Sequence, residues 1–504
     1  MARVRSIRAA AVVASLGLLI AASSVPAGAQ SPAASAAPLP SFPAGTTVNL
    51  LTFNGPQIAE PLQRRAPDFE KATGVHVNVV SVGFQDLYDK ALLDASAGVN
   101  SFDAYVFNPQ WLGDFVGPGY LADLTPKIAA DPGIQWDDVA PFFRDFNASY
   151  GGKTYAVPLD GDFHMVYYRS DILAAGGDQP PKTWDDYLTL AAKYNGKDLN
   201  GDGTPDYGSC IAKKVGQQSY WWIISIAAGL LQTQGTAQGA FFDTTTMQPL
   251  FNNDAVALAL QTYKKTKDFG PPDELNLGVG DTRGLFTTGR CALSLDWGDI
   301  GTLVLAPGAY AKDKTGATIT PGWTQVLDRA TGKLVPCDAT TCPDAVDGVN
   351  YAPFASFGGW SGAVNAASKN QDAAYAFLSY MSAPAQSSVD VTLGKTGFNP
   401  YRTSHFSNLA PWEAVGMSEA AATNYLGAIK ASLQSPNMVL DLRIPKTKQY
   451  EQDVLDQQVS AYLAGDQDEA TTMQNIADGW NQITDTEGRD QQLAAYNASL
   501  AVTK

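Results

Sequence analysis

The hydrophobic residues that follow position 45 are spaced as strands and helices in alternation. A continuous apolar run at 48–53 has the length of a buried strand, and alternating valines at 75–79 predict a second one. The stretch between them, about 60–73, predicts a helix that ends at Gly74, and Pro67 is expected to divide it into two short pieces. Strand, helix and strand in this order form the unit of a parallel α/β sheet.

The same patterns continue along the chain. Strands are predicted at 101–107, 154–158 and 163–168, and helices at 184–193, 254–267, 372–381 and within 447–497. A length of 504 residues allows about three domains. No internal repeat and no change of composition divides the chain after residue 45, however, and this favours two α/β lobes that are interleaved in the sequence.

The first 45 residues are predicted to lie outside the folded protein. Residues 1–29 have the features of a cleavable signal peptide, with three arginines, an apolar run at 9–22 and a small-x-small motif that ends at Ala29. Residues 30–45 are rich in Ser, Ala and Pro and are predicted to form a disordered linker. No cysteine stands at the predicted cleavage site, which argues against a lipoprotein. We therefore expect a periplasmic or secreted protein.

The composition excludes several classes of protein. Hydrophobic residues make up 45% of the chain and charged residues 17%, which is enough apolar material for a large folded core. The formal net charge is −16 and no basic patch is found, so a nucleic-acid partner is not expected. The longest apolar run after the signal peptide, 221–231, is shorter than the ~20 residues of a transmembrane helix, so the mature chain is expected to lack one.

Four cysteines are an even number, and in an oxidising compartment they are expected to form disulfides. Three pairings are possible. Cys337 and Cys342 are separated by four residues and can close a small loop, which leaves Cys210 with Cys291. Their spacing does not suit a zinc site, because no second ligand pair lies close in sequence.

Several stretches of the sequence resemble one protein family. They are FEKATGVHV at 69–77, YAVP at 155–158 leading to YYRSD at 167–171, GRCAL at 289–293, and GGWSG at 358–362 leading to NAASKN at 365–370. In this order they resemble the extracellular solute-binding proteins of ABC importers, particularly the carbohydrate-binding group that includes maltose-binding protein. The resemblance spans roughly residues 46–465.

This resemblance implies a two-lobe, type II periplasmic-binding-protein-like α/β fold with crossover hinge strands. The crossovers would fall near 158–162, 358–362 and 397–401, with the solute held between the lobes. Lobe 1 would comprise 46–158 and 363–396, and lobe 2 would comprise 159–362 and 397–504. The expected partners are a carbohydrate and the membrane permease subunits of an ABC importer, and the protein is expected to be a monomer.

Flat aromatic side chains are the first requirement of a sugar site, because sugar rings have apolar C–H faces and polar rims. Trp111, Trp297 and Trp360 are the favoured stacking platforms, and Tyr220 and Trp221 are further candidates. Ordinary core packing is the alternative for each of them. It is the better reading for Trp222, which lies inside an apolar run.

Polar ligand-binding groups are expected at strand ends and at the crossovers. The candidates are Asn54 and Gln57 after the first strand, Asp160 and Asp162 at the first crossover, Asp296 and Asp299 beside Trp297, and Arg402 after the third crossover. A carboxylate accepts two hydroxyl groups at once, which suits a sugar. A solvated surface position is the alternative for each acidic residue.

The segment from Asp198 to Asp206 matches the first nine positions of a calcium loop. Oxygen ligands would come from Asp198, Asn200, Asp202 and Asp206 and from the carbonyl group of Thr204. The glutamate expected at position 12 is replaced by Ser209. A structural Ca²⁺ ion and a plain Asx/Gly turn both remain open.

The sequence thus predicts a binding protein that captures a mono- or oligosaccharide between two lobes and delivers it to a permease. No catalytic residue and no required cofactor are expected. One alternative is a secreted glycan-active enzyme, a glycosidase or lyase, that uses Asp160 or Asp162 as acid or base. Another is a binding protein for a non-sugar solute such as a polyamine or a peptide.

Overall fold

The structure is a computed structural model that describes residues 39–394 and 396–501. The predicted signal peptide and most of the predicted linker lie outside the described residues. The strands β1–β13 are Thr47–Phe53, His76–Val82, Ala104–Phe107, Ser149–Tyr150, Lys153–Thr154, Ala156–Pro158, Met165–Arg169, Tyr207–Cys210, Cys291–Asp296, Thr315–Ile319, Gln325–Asp328, Lys333–Pro336 and Ser361–Val364.

Helices surround these strands. The α-helices α1–α18 are Pro56–Thr73, Phe84–Ala97, Leu112–Val116, Thr125–Ala129, Ser170–Gly176, Trp184–Tyr194, Ser219–Leu231, Asp254–Thr266, Val279–Thr287, Ile300–Leu303, Gln371–Ser382, Pro384–Asp390, Thr403–Ser407, Ala410–Ala414, Glu419–Leu433, Gln457–Ala464, Glu469–Glu487 and Arg489–Leu500. Two segments, Phe142–Asn147 and Gln449–Asp456, have π-helical hydrogen bonding, a feature that is frequent at functional sites.

Two sheets organise the molecule. The first has the strand order β2-β1-β3-β13-β6, with β1 parallel to β2 and β3, and β13 antiparallel to β3 and β6. The second has the order β10-β7-β9-β8, with β8 parallel to β9, and β7 antiparallel to β9 and β10. The predicted α/β architecture is confirmed.

The chain passes between the sheets through three crossover segments. It leaves the first sheet after β6, returns before β13, and crosses again near residues 397–401. The three segments are bonded to one another, since the Leu159 N–H donates to the Trp360 carbonyl group (3.1 Å) and the Gly161 N–H to that of Asn399 (3.1 Å). β13 begins at Ser361, two residues before the predicted restart of lobe 1 at 363, while the assignment of the whole chain to two lobes stays a prediction.

Besides the strand predicted at 154–158, which is divided between β5 and β6, three of the predicted elements differ from the structure. Helix α1 begins at Pro56, before the predicted 60, and runs unbroken through Pro61 and Pro67, so the predicted division was wrong. Each proline removes one backbone hydrogen bond, and the buried face of the helix, with Leu62 and Phe69, keeps it continuous. The strand predicted at 163–168 begins at Met165.

The third difference concerns the strand predicted at 101–107, which begins only at Ala104. The backbone N–H groups of Ser101 and Phe102 donate instead to the carboxylate of Asp94, at 2.7 and 3.4 Å. They are therefore not available to a neighbouring strand.

The long apolar run of the sequence forms the buried helix α7. All thirteen of its residues are buried, as expected for a helix that is hydrophobic on every side. It packs against α8 and against β11. Among residues 39–394 and 396–501, no helix combines the length and apolar character needed to cross a membrane.

Both predicted disulfides are present in the structure. Cys210 and Cys291, whose Cα atoms are 5.9 Å apart, join the adjacent parallel strands β8 and β9. Cys337 and Cys342, with Cα atoms 5.6 Å apart, close the small loop that follows β12.

Candidate functional site

One edge of each sheet carries the aromatic residues of the candidate site. In the first sheet, the carboxyl ends of β1 and β3 meet the start of β13, because β13 runs antiparallel to β3. In the second sheet, the carboxyl ends of β8 and β9 meet the start of β7. Such edges are where open α/β sheets bind ligands.

A continuous layer of aromatic rings connects the two edges. We call it the aromatic layer, and its members are Phe53, Phe84, His164, Trp221, Trp222, Trp297, Phe357 and Trp360. The rings of Phe84, the first residue of α2 after β2, and of Trp221, in α7 after β8, are in direct contact, with centroids 6.0 Å apart. Phe357, in the second crossover, contacts Trp221 and Trp297 at 5.1 Å and Trp360 at 5.8 Å.

Trp297 follows β9 and is buried within this layer. Its ring lies 5.0 Å from that of Trp221 and 4.0 Å from the imidazole of His164. Its indole Nε1–H donates to the side chain of Gln218 (2.7 Å). Burial lowers the pKa of His164 well below its usual range, so this imidazole is neutral at pH 7.

Trp360 occupies the second crossover, directly before β13. Its ring stacks on that of Phe53 at the end of β1, with centroids 5.6 Å apart and planes inclined by 7°. The sharp turn before it is made by Gly358 and Gly359, which both have positive φ. A Cβ atom at Gly359 would also collide with the Asp160 carbonyl group, so the first two crossovers can approach only because this residue is glycine.

A buried polar cluster adjoins the aromatic layer. Gln110 follows β3 of the first sheet, and its Nε2 donates to Glu451 Oε2 (2.7 Å). Glu451 belongs to the π-helical segment, and its Oε1 has no hydrogen-bond partner among the described residues. Asp441, whose charge acts on Glu451, accepts from the indole Nε1–H of Trp221 (3.0 Å). We call Asp441 and Glu451 the interface carboxyl pair.

The protonation of this pair is set by burial. Burial raises the pKa of Asp441 to about 6. It raises the pKa of Glu451 well above its usual range, and the charge of Asp441 raises it further.

The side-chain amide of Asn108, a residue beside the polar cluster, makes no hydrogen bond within the described part of the protein. Asn108 follows β3 and is fully buried, and neither its Oδ1 nor its Nδ2 has a hydrogen-bond partner among the described residues. The same holds for Oε1 of Gln110 and Nε1 of Trp222. Buried polar groups are normally hydrogen-bonded, so these unbonded groups near the sheet edges are candidates for contact with a ligand.

Asp160 and Asp162 were predicted as ligand contacts, and the structure places both among the crossover segments. Asp160 accepts from the backbone N–H groups of Asn399 (2.6 Å) and Trp360 (3.1 Å), so one carboxyl group joins all three crossovers. Asp162 accepts from the Gly298 N–H (3.0 Å) and from Nδ2 of Asn399 (3.1 Å). Burial raises the pKa of Asp160 to about 8 and that of Asp162 well above its usual range.

Asp296 and Asp299 are bound to one buried guanidinium group. Arg283 Nε donates to Asp296 Oδ1 (2.9 Å), and Arg283 Nη2 donates to Asp299 Oδ2 (2.6 Å). Burial raises the pKa of both carboxyl groups, that of Asp296 to about 6, and Arg283 opposes the shift. This ion-pair network lies beneath Trp297 and fixes the end of β9.

The other predicted site residues are dispersed. Trp111 packs on Phe107 and Tyr88 in the core of the first sheet. Tyr220 packs on Trp221 in α7 and accepts from Gln452 (3.3 Å).

Asn54 is exposed at the end of β1. Gln57 is the second residue of α1, and its side chain lies outside the described part of the chain. Arg402 donates to the carbonyl groups of Ile134 (2.8 Å) and Gln135 (3.1 Å), so its guanidinium group is used within the protein.

The predicted calcium loop is held by its own hydrogen bonds. Asp198 accepts from the N–H groups of Gly201 (2.7 Å) and Gly203 (2.9 Å), and Asn200 and Thr204 interact with the Asp202 carboxylate. Asp206 accepts from Leu199 N–H (2.8 Å) and from Arg290 Nε (2.8 Å), so both of its oxygens are engaged. Within the described residues, no group of three or more His, Cys, Asp or Glu side chains is arranged to hold a metal ion. The calcium site stays a prediction.

The sequence reasoning did not identify Asn108, Gln110, Asp441 or Glu451. The first two follow directly after a predicted strand, and the rule that selected Asn54 would have selected them as well. Glu451 has no such signal, because it lies within the region 447–497 that the sequence predicts only as helical, and Asp441 lies before that region, where no element is predicted.

The comparisons with known proteins complete the description of the site. A model of the family described as bacterial extracellular solute-binding protein matches residues 55–387. The chain belongs to this family. This membership confirms the prediction of a solute-binding protein, because the family is one of binding proteins.

Individual relatives are distant. A protein of Sinorhizobium fredii described as a probable amino-acid ABC transporter periplasmic-binding protein is 27% identical over 69% of this chain and 72% of its own length. A mannitol-binding protein of Pseudomonas aeruginosa is 28% identical over 52% of each chain. A solved ABC transporter solute-binding protein of Agrobacterium radiobacter in complex with ribitol has a TM-score of 0.69 at 20% identity, over 87% of this chain and 99% of that one. This likeness confirms the predicted fold class.

Proposed function

We propose that this solute-binding protein captures a carbohydrate or a related sugar alcohol between the two sheet edges and delivers it to the permease subunits of an ABC importer. The observation that carries the proposal is the aromatic layer together with the buried polar groups at the same edges. Sugars and sugar alcohols present apolar C–H groups and many hydroxyl groups, so their site needs flat apolar surfaces and convergent hydrogen-bonding groups.

The names of relatives point to two classes of solute. The mannitol-binding relative and the ribitol complex favour a polyhydroxy solute, and the probable amino-acid transporter protein favours an amino acid. The carboxylate of an amino acid is commonly bound by a cationic side chain or by the backbone N–H groups of a helix N-terminus. One cationic candidate, Arg443, donates to the Phe146 carbonyl group and lies over the Phe146 and Tyr150 rings, at 4.3 and 5.5 Å, while its buried Nε has no hydrogen-bond partner among the described residues.

The mechanism of capture is conformational. A solute that contacts both sheet edges stabilises the arrangement in which they face each other, because these contacts are not available when the edges separate. The crossover segments, joined by the Asp160 carboxyl group, are the natural pivot for this motion. The role in transport then consists of binding and release, with no bond made or broken.

A glycan-active enzyme is the less supported alternative. Its acid or base would be Asp160 or Asp162, and both carboxyl groups accept backbone N–H donors within the crossovers. A general acid must reach the glycosidic oxygen of its substrate. The geometry does not favour such a role here.

A thermal-shift screen tests the proposal. Ribitol, mannitol, maltose, monosaccharides, amino acids and spermidine are each added to the protein, and hits are confirmed by isothermal titration calorimetry. A solute at 100 times its Kd is expected to add about 2.7 kcal/mol to stability. Stabilisation by amino acids alone would contradict a carbohydrate ligand. Release of reducing ends from a polysaccharide panel would contradict the binding role.

A further inference from the structure

Two oxygen atoms that meet at the contact between Gln110 and Glu451 have no hydrogen-bond partner among the described residues. Gln110 directly follows β3 and belongs to the part of the protein built around the first sheet, the first-sheet side. Its Nε2 donates to Glu451 Oε2 (2.7 Å), which leaves Oε1 of Gln110 and Oε1 of Glu451 unbonded. Both side chains are buried, with exposed fractions of 1% and 0%. An amide oxygen and an ionised carboxylate oxygen can only accept hydrogen bonds.

Asp441 brings a second buried carboxyl group to the same place. The π-helical segment that carries Glu451 packs against α7, and α7 carries Trp221, whose indole Nε1–H donates to Asp441 Oδ2 (3.0 Å). The other oxygen of Asp441 accepts from the backbone N–H of Leu442 (2.9 Å). All of these donors are neutral, as is the Gln110 amide. The interface carboxyl pair therefore obtains hydrogen bonds from them but no positive charge.

The cationic side chains that are near in sequence are engaged elsewhere. Arg443 donates to the Phe146 carbonyl group, and Lys448 lies 3.5 Å from each of two exposed aspartates. Within residues 39–394 and 396–501, neither Asp441 nor Glu451 forms an ion pair with a lysine, an arginine or a histidine. A positive charge at this pair would therefore have to come from outside the described chain.

Other buried carboxyl groups show how unusual Glu451 is. Glu274 is as deeply buried, and it is paired with Lys213 (2.6 Å). Only one other carboxylate oxygen of the described chain is both buried and unbonded, Oε2 of Glu60, and that group is paired with Arg64 (2.9 Å). A buried carboxylate normally has a charged partner or a full set of hydrogen bonds. Glu451 has neither within the described residues.

A protonated amino group has the chemistry that these atoms lack. An ammonium group carries three N–H donors and a positive charge, whereas a hydroxyl group carries one donor and no charge. Two acceptor oxygens and an uncompensated carboxyl pair therefore suit an ammonium group better than a hydroxyl group. Hydrogen bonds between charged groups are also the stronger ones. The aromatic rings of Trp221 and Tyr220, with centroids 4.4 Å apart, belong to the same surroundings, and aromatic rings favour cations over neutral groups.

We propose that the solute is an amino-substituted sugar or sugar alcohol, and that Glu451 and Gln110 bind its protonated amino group. This proposal rests on the proposed function and narrows it from polyhydroxy solutes in general to those with a basic nitrogen. Asn108 supplies the complementary part of the site. Its unbonded Oδ1 accepts and its unbonded Nδ2 donates, as a hydroxyl group of the same solute requires.

Calorimetric titration of the full protein with matched pairs of solutes tests this proposal. The pairs are glucosamine and glucose, galactosamine and galactose, mannosamine and mannose, and 1-amino-1-deoxysorbitol and sorbitol, at a pH below the pKa of the amines. In the pair whose sugar frame fits the site, the amine is expected to have a Kd about tenfold or more below that of its hydroxyl counterpart. The N-acetyl derivative keeps the nitrogen but not the charge, and it should lose this gain.

Variants assign the preference to Glu451. Glu451→Gln keeps an acceptor oxygen for Gln110 but removes the charge, so the amine and its hydroxyl counterpart should then bind with similar Kd values. Asp453→Asn removes an exposed carboxylate from the same helical segment and should leave the preference as it is in the natural protein. If Glu451→Gln does not fold, Asp441→Asn is used instead. It keeps an acceptor for the Trp221 indole, lowers the charge of the pair, and should reduce the preference severalfold.

The outcomes separate this proposal from the proposed function. If neutral sugars bind as tightly as their amines, or if Glu451→Gln keeps the natural preference, the amino-group site is overturned and the carbohydrate-binding function stands. Spermidine provides an amine without a sugar frame. If spermidine binds, depends on Glu451, and no sugar or sugar alcohol binds, the cation site is supported and the carbohydrate function fails. If neither spermidine nor any member of the pairs binds, both are contradicted.

Discussion

Trp360 provides a test of whether the aromatic layer serves binding or only packing. It is 5% exposed, and its ring contacts those of Phe53, Phe357 and Phe84 at 5.6, 5.8 and 6.4 Å. All three partner rings lie at a sheet edge or in a crossover. Water can therefore reach them if the two sheets move apart. The perturbation is Trp360→Ala, which keeps the backbone N–H that Asp160 accepts.

The expected magnitude follows from these contacts. An aromatic pair contributes about 0.5–1.5 kcal/mol beyond burial of its area, so three pairs contribute about 1.5–4.5 kcal/mol. If the layer is partly hydrated in the separated form, this loss is divided between folding and binding. We expect about 2 kcal/mol in each, which for binding is about a 30-fold increase in Kd.

Trp111 supplies the matched control. It is fully buried and packs on Phe107 and Tyr88, at 6.0 and 5.2 Å, inside the first-sheet side. Trp111→Ala should therefore cost about 3–5 kcal/mol of unfolding free energy. It should change Kd by less than about threefold, since its contacts persist when the two sides separate.

Urea denaturation of the solute-free protein and calorimetric titration of the folded variants measure the two quantities. The reasoning depends on the contrast between the variants. If Trp360→Ala lowers the unfolding free energy as much as Trp111→Ala does and leaves Kd unchanged, Trp360 is a core residue and the layer is not part of the binding surface.

Three further predictions concern the crossovers, the disulfides and the calcium loop. Asp160→Asn should lower the unfolding free energy by about 2 kcal/mol, because an amide has one acceptor oxygen for two backbone N–H donors; an unchanged urea midpoint would contradict this. Replacing Cys210 and Cys291 by serine opens a loop of 81 residues and should cost about 4 kcal/mol in the same assay. Calorimetry after chelation and dialysis should detect calcium binding that Asp202→Ala abolishes, and absence of a binding heat in the natural protein would rule the site out.

The fold was predictable where hydrophobic periodicity and burial coincide. The valine alternation at 75–79 became β2, and the helices predicted at 184–193 and 372–381 became α6 and α11. The errors occurred where a side chain changes the backbone hydrogen bonding. The carboxylate of Asp94 captures two N–H groups that the pattern assigned to a strand, and no local rule identifies that distant acceptor.

The site was predictable to the extent that it lies at strand ends. Trp297 and Trp360 were selected because they end or precede glycine-flanked strands, and both lie in the aromatic layer. The interface carboxyl pair was not predicted. Only the folded chain brings Glu451 to Gln110, which is 341 residues away in the sequence. The local sequence of Glu451 does not differ from that of a solvated helix position.

Asp160 shows most clearly why residue type alone does not assign a role. An aspartate at a predicted crossover has the right chemistry for sugar hydroxyl groups, yet here its oxygens accept the N–H groups of Asn399 and Trp360. Crossover segments have no neighbouring strand to bond with, so their buried N–H groups need an acceptor from elsewhere. The carboxyl group of Asp160, which belongs to the first crossover, is the acceptor for the N–H groups of the other two crossovers. A residue that joins all three crossovers can influence how readily the two sheets move apart without touching the solute.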